Sequence, residues 1–217
     1  MSVENLNIIK NNIHAVFDEY HIAPHPVDII AVSKHHGADK IIPLLQSGHR
    51  IFGENRISEA VDKWTDLRSK YNNISLHLIG SLQSNKVKQA CAFFDVLQTI
   101  DRVSLIDELV KYRDSTGILP KLFAQINTGR EPQKSGVLPD ECDDFFAYAM
   151  DKNIHFDGLM CLPPADELPV FHFTMLKNIA KTYHIPKTSM GMSNDYLDAI
   201  LCKTDYIRIG TGIFGER

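Results

Sequence analysis

The sequence predicts an α/β fold built as a barrel of eight parallel strands, and three observations carry that expectation. Short apolar runs of the buried-strand kind alternate with amphipathic helical patterns along nearly the whole chain. About eight such strands fit into 217 residues, which suits a compact (β/α)8 barrel. No Gly/Ser-rich linker, low-complexity segment or sharp change of composition divides them, so one domain spanning residues 1–217 is expected. A doubly wound open sheet would show the same alternation, and periodicity alone does not separate the two.

The first element is a helix outside the βα repeat, over about residues 3–20, where Leu6, Ile9, Ile13, Val16, Phe17 and Tyr20 recur at helical spacing. Pro24 and Pro26 break the pattern, and 27–32 then reads as a buried strand that ends at Ser33-Lys34. Ile41, Ile42, Leu44 and Leu45 suggest a short helix closed by Gly48. Later strands are expected at 50–52, 76–79, 96–100, 122–126, 156–160, 188–190 and 206–209. Helical patterns lie between them, including 57–71, 103–115, 139–152, 170–183 and a shorter one at 194–202. Every strand except the last is expected to lead into a helix.

Composition narrows the function classes. With 44% hydrophobic and 23% charged residues the chain is of the globular kind, long enough to bury roughly 70% of its unfolded surface. A formal net charge of −4 gives no overall basic field, so nucleic acid is not an expected partner. The longest apolar stretches, such as 27–32, are far too short to cross a bilayer. Glu4, Lys10 and Asp18 interrupt the first twenty residues, which therefore hold no secretory apolar segment. Four cysteines without a CxxC pair point to free thiols and a cytoplasmic location.

In a barrel of this type function sits where the strands end at their C-termini. Those positions read Ser33-Lys34, Gly53-Glu54-Asn55-Arg56, Gly80-Ser81-Leu82-Gln83, Asn127-Thr128-Gly129, Cys161-Leu162-Pro163-Pro164, Gly191-Met192-Ser193 and Gly210-Thr211-Gly212. Any one such loop needs turn residues and helix caps, but their joint concentration at one end points to a site. Lys34 is the most informative residue. A lone lysine beside a strand is more often simply solvated. At the end of an apolar strand, however, its amine points to the barrel mouth, where partial desolvation would lower its pKa. A neutral amine forms a Schiff base with an aldehyde.

The last third reads as an anion site. Ser193 stands at the start of the expected 194–202 helix, whose free N–H groups attract phosphate. Gly210-Thr211-Gly212 would let further backbone N–H groups approach the same anion. Arg208, on the last strand, would turn inward to a ring nitrogen or an anion, or else form a structural ion pair.

Other signals fail. Residues 210–215 match G-x-G-x-x-G, but only two residues follow, so no helix or βαβ unit can open there. Adjacent His35 and His36 diverge too far to form a metal face, and no histidine has a zinc-site spacing with cysteine, so no metal is expected. GxSxG, P-loop and HExxH are absent. Lys86 and Lys88 read as a solvated helix face.

Six motifs together resemble a known family: Ala31-Val32-Ser33-Lys34, Phe52-Gly53-Glu54-Asn55-Arg56, the run from His77 to Lys86, the run from Gly158 to Pro164, the run from Ser189 to Asp195, and the run from Arg208 to Gly215. They are similar, in order and from about residue 27 to the C-terminus, to the YggS/PROSC family of pyridoxal 5′-phosphate homeostasis proteins. The resemblance implies a fold type III barrel like the N-terminal domain of bacterial alanine racemase. By it, Lys34 carries pyridoxal phosphate as a Schiff base, Ser193, Gly210 and Thr211 hold the phosphate, Arg208 faces the pyridine nitrogen, and Asn55 lies in the motif lining the cofactor. Lys203 and Gly212 stand where the family usually has Gly and Ala, and neither position is a cofactor contact by type.

The function so implied is intracellular pyridoxal phosphate homeostasis and amino-acid balance, without an established turnover. The expected partners are the cofactor and apo-forms of enzymes that use it, and the chain is expected to be a monomer. The alternative is a low-activity amino-acid racemase. It is weighed against by Arg208, which would leave the ring nitrogen unprotonated, and by the lack of room in 217 residues for the racemase's second domain and its base. A tyrosine or cysteine opposite Lys34 would favour it. A Schiff-base aldolase would need a carboxylate near Lys34; Glu54 is the nearby one, and Asp28 lies toward the other end of the strand.

Overall fold

The computed structural model describes residues 1–216. Residue 217, the last of the expected domain, lies outside the described residues. An N-terminal helix α1 (Ser2–Glu19) precedes eight strand-and-helix units. These are β1 (Asp28–Val32) and α2 (Ala38–Gln46), β2 (Ile51–Glu54) and α3 (Ile57–Lys70), then β3 (Ser75–Leu78) and α4 (Val87–Phe93). There follow β4 (Val96–Ile100) and α5 (Val103–Thr116), β5 (Lys121–Ile126) and α6 (Cys142–Asp151), and β6 (Gly158–Cys161) and α7 (Pro169–Thr182). The last two are β7 (Lys187–Ser189) with α8 (Tyr196–Leu201), and β8 (Tyr206–Ile209) with α9 (Thr211–Phe214).

Each strand pairs in parallel with the next, and β8 closes on β1 through Asp28 opposite Tyr206 and Ile30 opposite Arg208. The sheet is a closed barrel, not the open alternative. Alternation along each strand sorts its residues into two environments. Ile29 and Ala31 join Phe52, Trp64, Leu76 and Ile207 in the layer between strands and helices, whereas Ile30, Val32, Val96, Phe123 and Tyr206 cluster inside the barrel. The Phe123 ring fills space that only a glycine at 158 leaves open, since a Cβ there would lie 2.1 Å from it. The apolar face of α1 (Leu6, Ile9, Ile13, Val16, Phe17) is buried and packs chiefly on α9, α8 and α2.

Three expectations are corrected. The last strand does lead into a helix, the single turn α9, which forms within residues 210–215 themselves and needs no chain beyond them. The 139–152 pattern begins as a 3-10 turn at 139–141, with Pro139 in its first turn, before α6. The expected 194–202 helix is only Tyr196–Leu201: Asp195 folds its carboxylate back onto the Met192 N–H at 2.5 Å, holding 192–195 as a turn.

Candidate functional site

The end of β1 decides where Lys34 lies. Ile30 and Val32 face the barrel interior, and Lys34 follows them in the turn that leaves the C-terminal end of β1 at the mouth. It is half-buried, and its amine makes no hydrogen bond or ion pair among the described residues. Its loop is fastened from behind. Ser33 N–H donates to Gly53 O at 3.0 Å, and His36 N–H returns to Ser33 O at 3.1 Å. His35 adopts φ 64° and donates its N–H to Glu59 Oε1. Lys63 of α3 donates to both Ser33 O (2.8 Å) and His36 O (2.9 Å).

Beneath that loop, Glu54 is fully buried and Oε1 takes the Ser33 hydroxyl at 2.6 Å, the Trp64 indole N–H at 2.9 Å and the Lys63 ammonium at 2.9 Å. Glu54 shares the parity of Phe52 and faces the helix layer. It is therefore spent on structure and does not reach the mouth as an acid or base. Asp28 sits at the other end of β1, where burial raises its pKa. The aldolase reading loses both of its carboxylates.

Arg208 lies inside the barrel, 4% exposed, on the interior face with Tyr206. Nη1 donates to Ser189 Oγ at 2.8 Å and Nη2 to Cys161 O at 2.7 Å, and it makes no ion pair among the described residues. A structural ion pair is thus not what holds it. Burial lowers its pKa, an effect that Cys161 and Asp195 oppose.

Ser193, placed by expectation at a helix start, instead lies three residues ahead of α8 in the 192–195 turn. Its hydroxyl oxygen accepts from Thr211 Oγ1 at 3.1 Å and from Gly212 N–H at 3.2 Å, so Ser193, Thr211 and the start of α9 converge on one spot. Gly191, at φ 90°, makes the turn possible: a Cβ there would come 2.6 Å from Ala199 Cβ. Gly210 packs against Val32, with its virtual Cβ 3.6 Å from Val32 Cβ. The His36 ring stacks on Phe214 of α9, centroids 4.8 Å apart. The Lys34 loop and the Gly210–Thr211 loop are therefore in contact.

Asn55 follows β2 and is half-buried. Its position depends on Gly80, whose Cβ would lie 2.2 Å from Asn55 O, while Thr99 Oγ1 donates to Gly80 O at 2.8 Å. Asn55 opens on a cavity of about 510 Å³ whose lining includes Arg56, Ser81, Gln83 and Lys86. Ser193 and Thr211 thus converge beside Gly210 after β8, Arg208 lies on β8 itself, Lys34 follows the adjoining β1, and Asn55 stands one strand further round.

Sequence reasoning missed two groups of residues. One is the Glu54–Lys63–Trp64 clamp. The other is a set of polar residues inside the barrel: Ser75, His77, Gln98 and Ser189. The second group had a signal: Ser75-Leu76-His77-Leu78 alternates in a parallel strand, where an unbroken apolar run is the norm. Among the described residues there is no His/Cys/Asp/Glu group able to hold a metal, and no helix long and apolar enough to cross a membrane.

Comparison with known proteins agrees with this geometry. The family described as "Alanine racemase, N-terminal domain" matches residues 5–217. The pyridoxal phosphate homeostasis protein of Haemophilus influenzae is 34% identical over 224 residues, covering 98% of this chain and 94% of its own. That of Escherichia coli K12 is 33% identical over 225 residues, covering 98% and 95%. The structure of PipY from Synechococcus elongatus with pyridoxal phosphate bound matches with a TM-score of 0.84 at 29% identity, covering 99% of this chain and 100% of that one. An alanine racemase of Clostridium difficile matches with a TM-score of 0.73 at 15% identity and is covered over 57% of its length, a likeness of fold alone. With relatives of this identity along its whole length and the family match over nearly all of it, the chain belongs to the YggS/PROSC family of pyridoxal phosphate homeostasis proteins, built on the alanine racemase N-terminal-domain barrel.

Proposed function

We propose that the chain binds pyridoxal 5′-phosphate at the barrel mouth with Lys34 as the anchor, and serves cofactor homeostasis by holding and delivering it. The observation that carries this reading is an unpartnered primary amine after β1 and a convergence of small polar groups after the adjoining β8. Pyridoxal phosphate supplies an aldehyde that condenses with such an amine, with loss of water. Lys34 offers the amine at a mouth whose rim it shares with this proposed anion cradle. The Ser193 and Thr211 hydroxyls and the Gly212 N–H, which satisfy one another here, can turn to a phosphate. Asn55, Ser193, Gly210, Thr211 and Arg208 complete the proposed contacts.

Arg208 fits the far end of such a ligand. A guanidinium has five donors and no acceptor, and two nitrogens are already fixed by Ser189 and Cys161. Its remaining N–H groups can donate to a ring nitrogen only if that nitrogen carries no proton. This disfavours carbanion chemistry and so the racemase alternative. Racemisation also needs a second base across from Lys34. Cys161 has the parity of Leu159 toward the helix layer, and burial pushes its thiol up to about 12. Tyr206 lies deeper, and its hydroxyl accepts from Lys187 at 3.2 Å.

The reading includes one barrel domain over 1–217, a monomer, a cytoplasmic setting and apo-enzymes as acceptors. Four free cysteines support the reducing compartment. Loading with pyridoxal phosphate should turn the protein yellow, and borohydride reduction with peptide mapping should place the pyridoxyl group on Lys34. Labelling chiefly at Lys86 or Lys134 would sink the assignment. On the same preparation, an apo-transaminase should be reactivated faster than free release of cofactor allows. Alanine racemisation should stay at least about a thousandfold below a typical ~10 s⁻¹. Sustained turnover near that rate, lost in Lys34→Ala, would make the protein an enzyme.

A further inference from the structure

Polar groups inside a barrel are costly unless each finds a partner, and here five of them form one line. Arg208 Nη1 meets Ser189 Oγ at 2.8 Å, and Ser189 Oγ meets Gln98 Oε1 at 2.8 Å. Gln98 Nε2 meets His77 Nδ1 at 2.9 Å, and His77 Nε2 meets Ser75 Oγ at 3.0 Å. Ser189, Gln98 and His77 are at most 1% exposed. The line crosses from β8 through β7 and β4 to β3, from the mouth toward the other end of the barrel.

Arg208 at one end and the orientation of the Gln98 amide in the middle give the line one direction. Arg208 can only donate, so Ser189 accepts from it, and its own hydroxyl donates to Gln98 Oε1. In this orientation the amide N–H₂ faces His77 Nδ1 and donates to it. His77 must therefore be neutral with its proton on Nε2, which donates to Ser75. The surroundings enforce neutrality. Burial, then Lys121 on β5 and Lys187 on β7, push the imidazole down to about 3, and the Tyr206 ring of β8 packs 5.6 Å away.

We propose that Ser189, Gln98 and His77 are positioning residues, a one-way hydrogen-bond chain that holds the Arg208 guanidinium as a donor aimed at the cofactor's ring nitrogen. The proposal rests on the pyridoxal phosphate reading, but half of it is testable without the ligand. In ligand-free protein labelled with nitrogen-15, His77 should show an Nε2–H tautomer that does not titrate between about pH 5 and 8. An Nδ1–H tautomer, or titration in that window, would overturn the chain.

The second arm reads the loaded protein. Ser189→Ala cuts the chain beside Arg208, and Gln98→Glu leaves two acceptors where a donor is required. Each should shift the pH midpoint of the visible absorbance by about one unit, the size expected for one charge-assisted hydrogen bond. Ser189→Thr, which keeps the hydroxyl, should return it toward the parent value. Unmoved midpoints in folded, loaded Ser189→Ala and Gln98→Glu would overturn the proposal and leave the cofactor reading standing. If the parent protein takes up no chromophore, the cofactor reading fails, and with it the aim assigned to Arg208, while the tautomer measurement still decides whether the chain exists. Should one variant fail to fold, the midpoint of the other decides the aim of Arg208, and the parent's tautomer decides the chain.

Discussion

Ser193 shows how one hydroxyl can serve two states of the same loop. In the ligand-free protein it accepts from Thr211 and Gly212, which keeps three polar groups satisfied at an exposed spot. Under the proposed function the same three groups would donate to the phosphate, each charge-assisted bond contributing about 1.5–3 kcal/mol. Ser193→Ala should thus weaken pyridoxal phosphate binding about tenfold to a hundredfold, measured by fluorescence or absorbance titration. Pyridoxal without its phosphate should bind far more weakly than the phosphorylated form, and with an affinity that Ser193→Ala leaves nearly unchanged. Equal affinities of the two aldehydes for the parent protein would refute the cradle. Arg208 illustrates the opposite case, a residue whose hydrogen-bond partners are all internal and which makes no ion pair among the described residues, the Asp195 carboxylate acting on its charge only from a distance.

At the scale of elements, α3 explains why Lys34 has a fixed origin. Lys63 holds the two carbonyls on either side of Lys34-His35 and returns its charge to Glu54, with side-chain exposures of 7% and 0%. A buried pair of this kind gains little overall, but removing one partner strands the other charge, at about 3–5 kcal/mol. Lys63→Met should lower stability by that amount in urea unfolding and slow pyridoxyl labelling of Lys34. The double variant Glu54→Gln with Lys63→Met should recover part of the stability. A loss under about 1 kcal/mol for Lys63→Met would show that the clamp is not formed.

Much of this layout was legible beforehand because its signals are local. Strands 96–100 and 206–209 appear where their apolar runs lie, and α1, α3, α5 and α7 fall within one residue of their periodic patterns. Lys34 and Gly210–Thr211 were legible because strand ends mark the mouth. The Ser193 turn was misplaced since a helix start depends on which side chain folds back, here Asp195 onto Met192. The clamp and the interior chain were missed for a deeper reason. Glu54 and Lys63 are nine residues apart, and Gln98 and Ser189 are 91 apart, so their pairing exists only after the barrel closes.

For the molecule as a whole, three histidines whose pKa burial lowers, His77, His49 and His25, tie the fold to pH, the first two most strongly. Burial, Lys121 and Lys187 lower His77 to about 3; burial, Lys10 and Arg50 lower His49 to about 4, against a bond to Ile51 O that raises it. Both lie below the unfolded value near 6.5, so as pH falls the unfolded chain takes up protons that the native state refuses. The stability tied to them is complete above about pH 6.5 and is lost as the pH drops toward 4 and 3. Each group contributes up to about 1.4 kcal/mol per pH unit in that window, or about 4 kcal/mol for the two at pH 5. That is a large share of a typical 5–15 kcal/mol domain stability. Asp28 and Asp195, both raised by burial, act in the opposite sense. The slope between pH 7 and 5 is therefore a difference between the two sets, and the histidines make it fall toward acid. Urea midpoints should fall steadily across that interval, and His49→Asn should make the fall shallower by up to about 1.4 kcal/mol per pH unit. A flat profile in the parent protein would mean that His77 accepts a proton at little cost. The line from Ser75 to Arg208 would then lose its single direction.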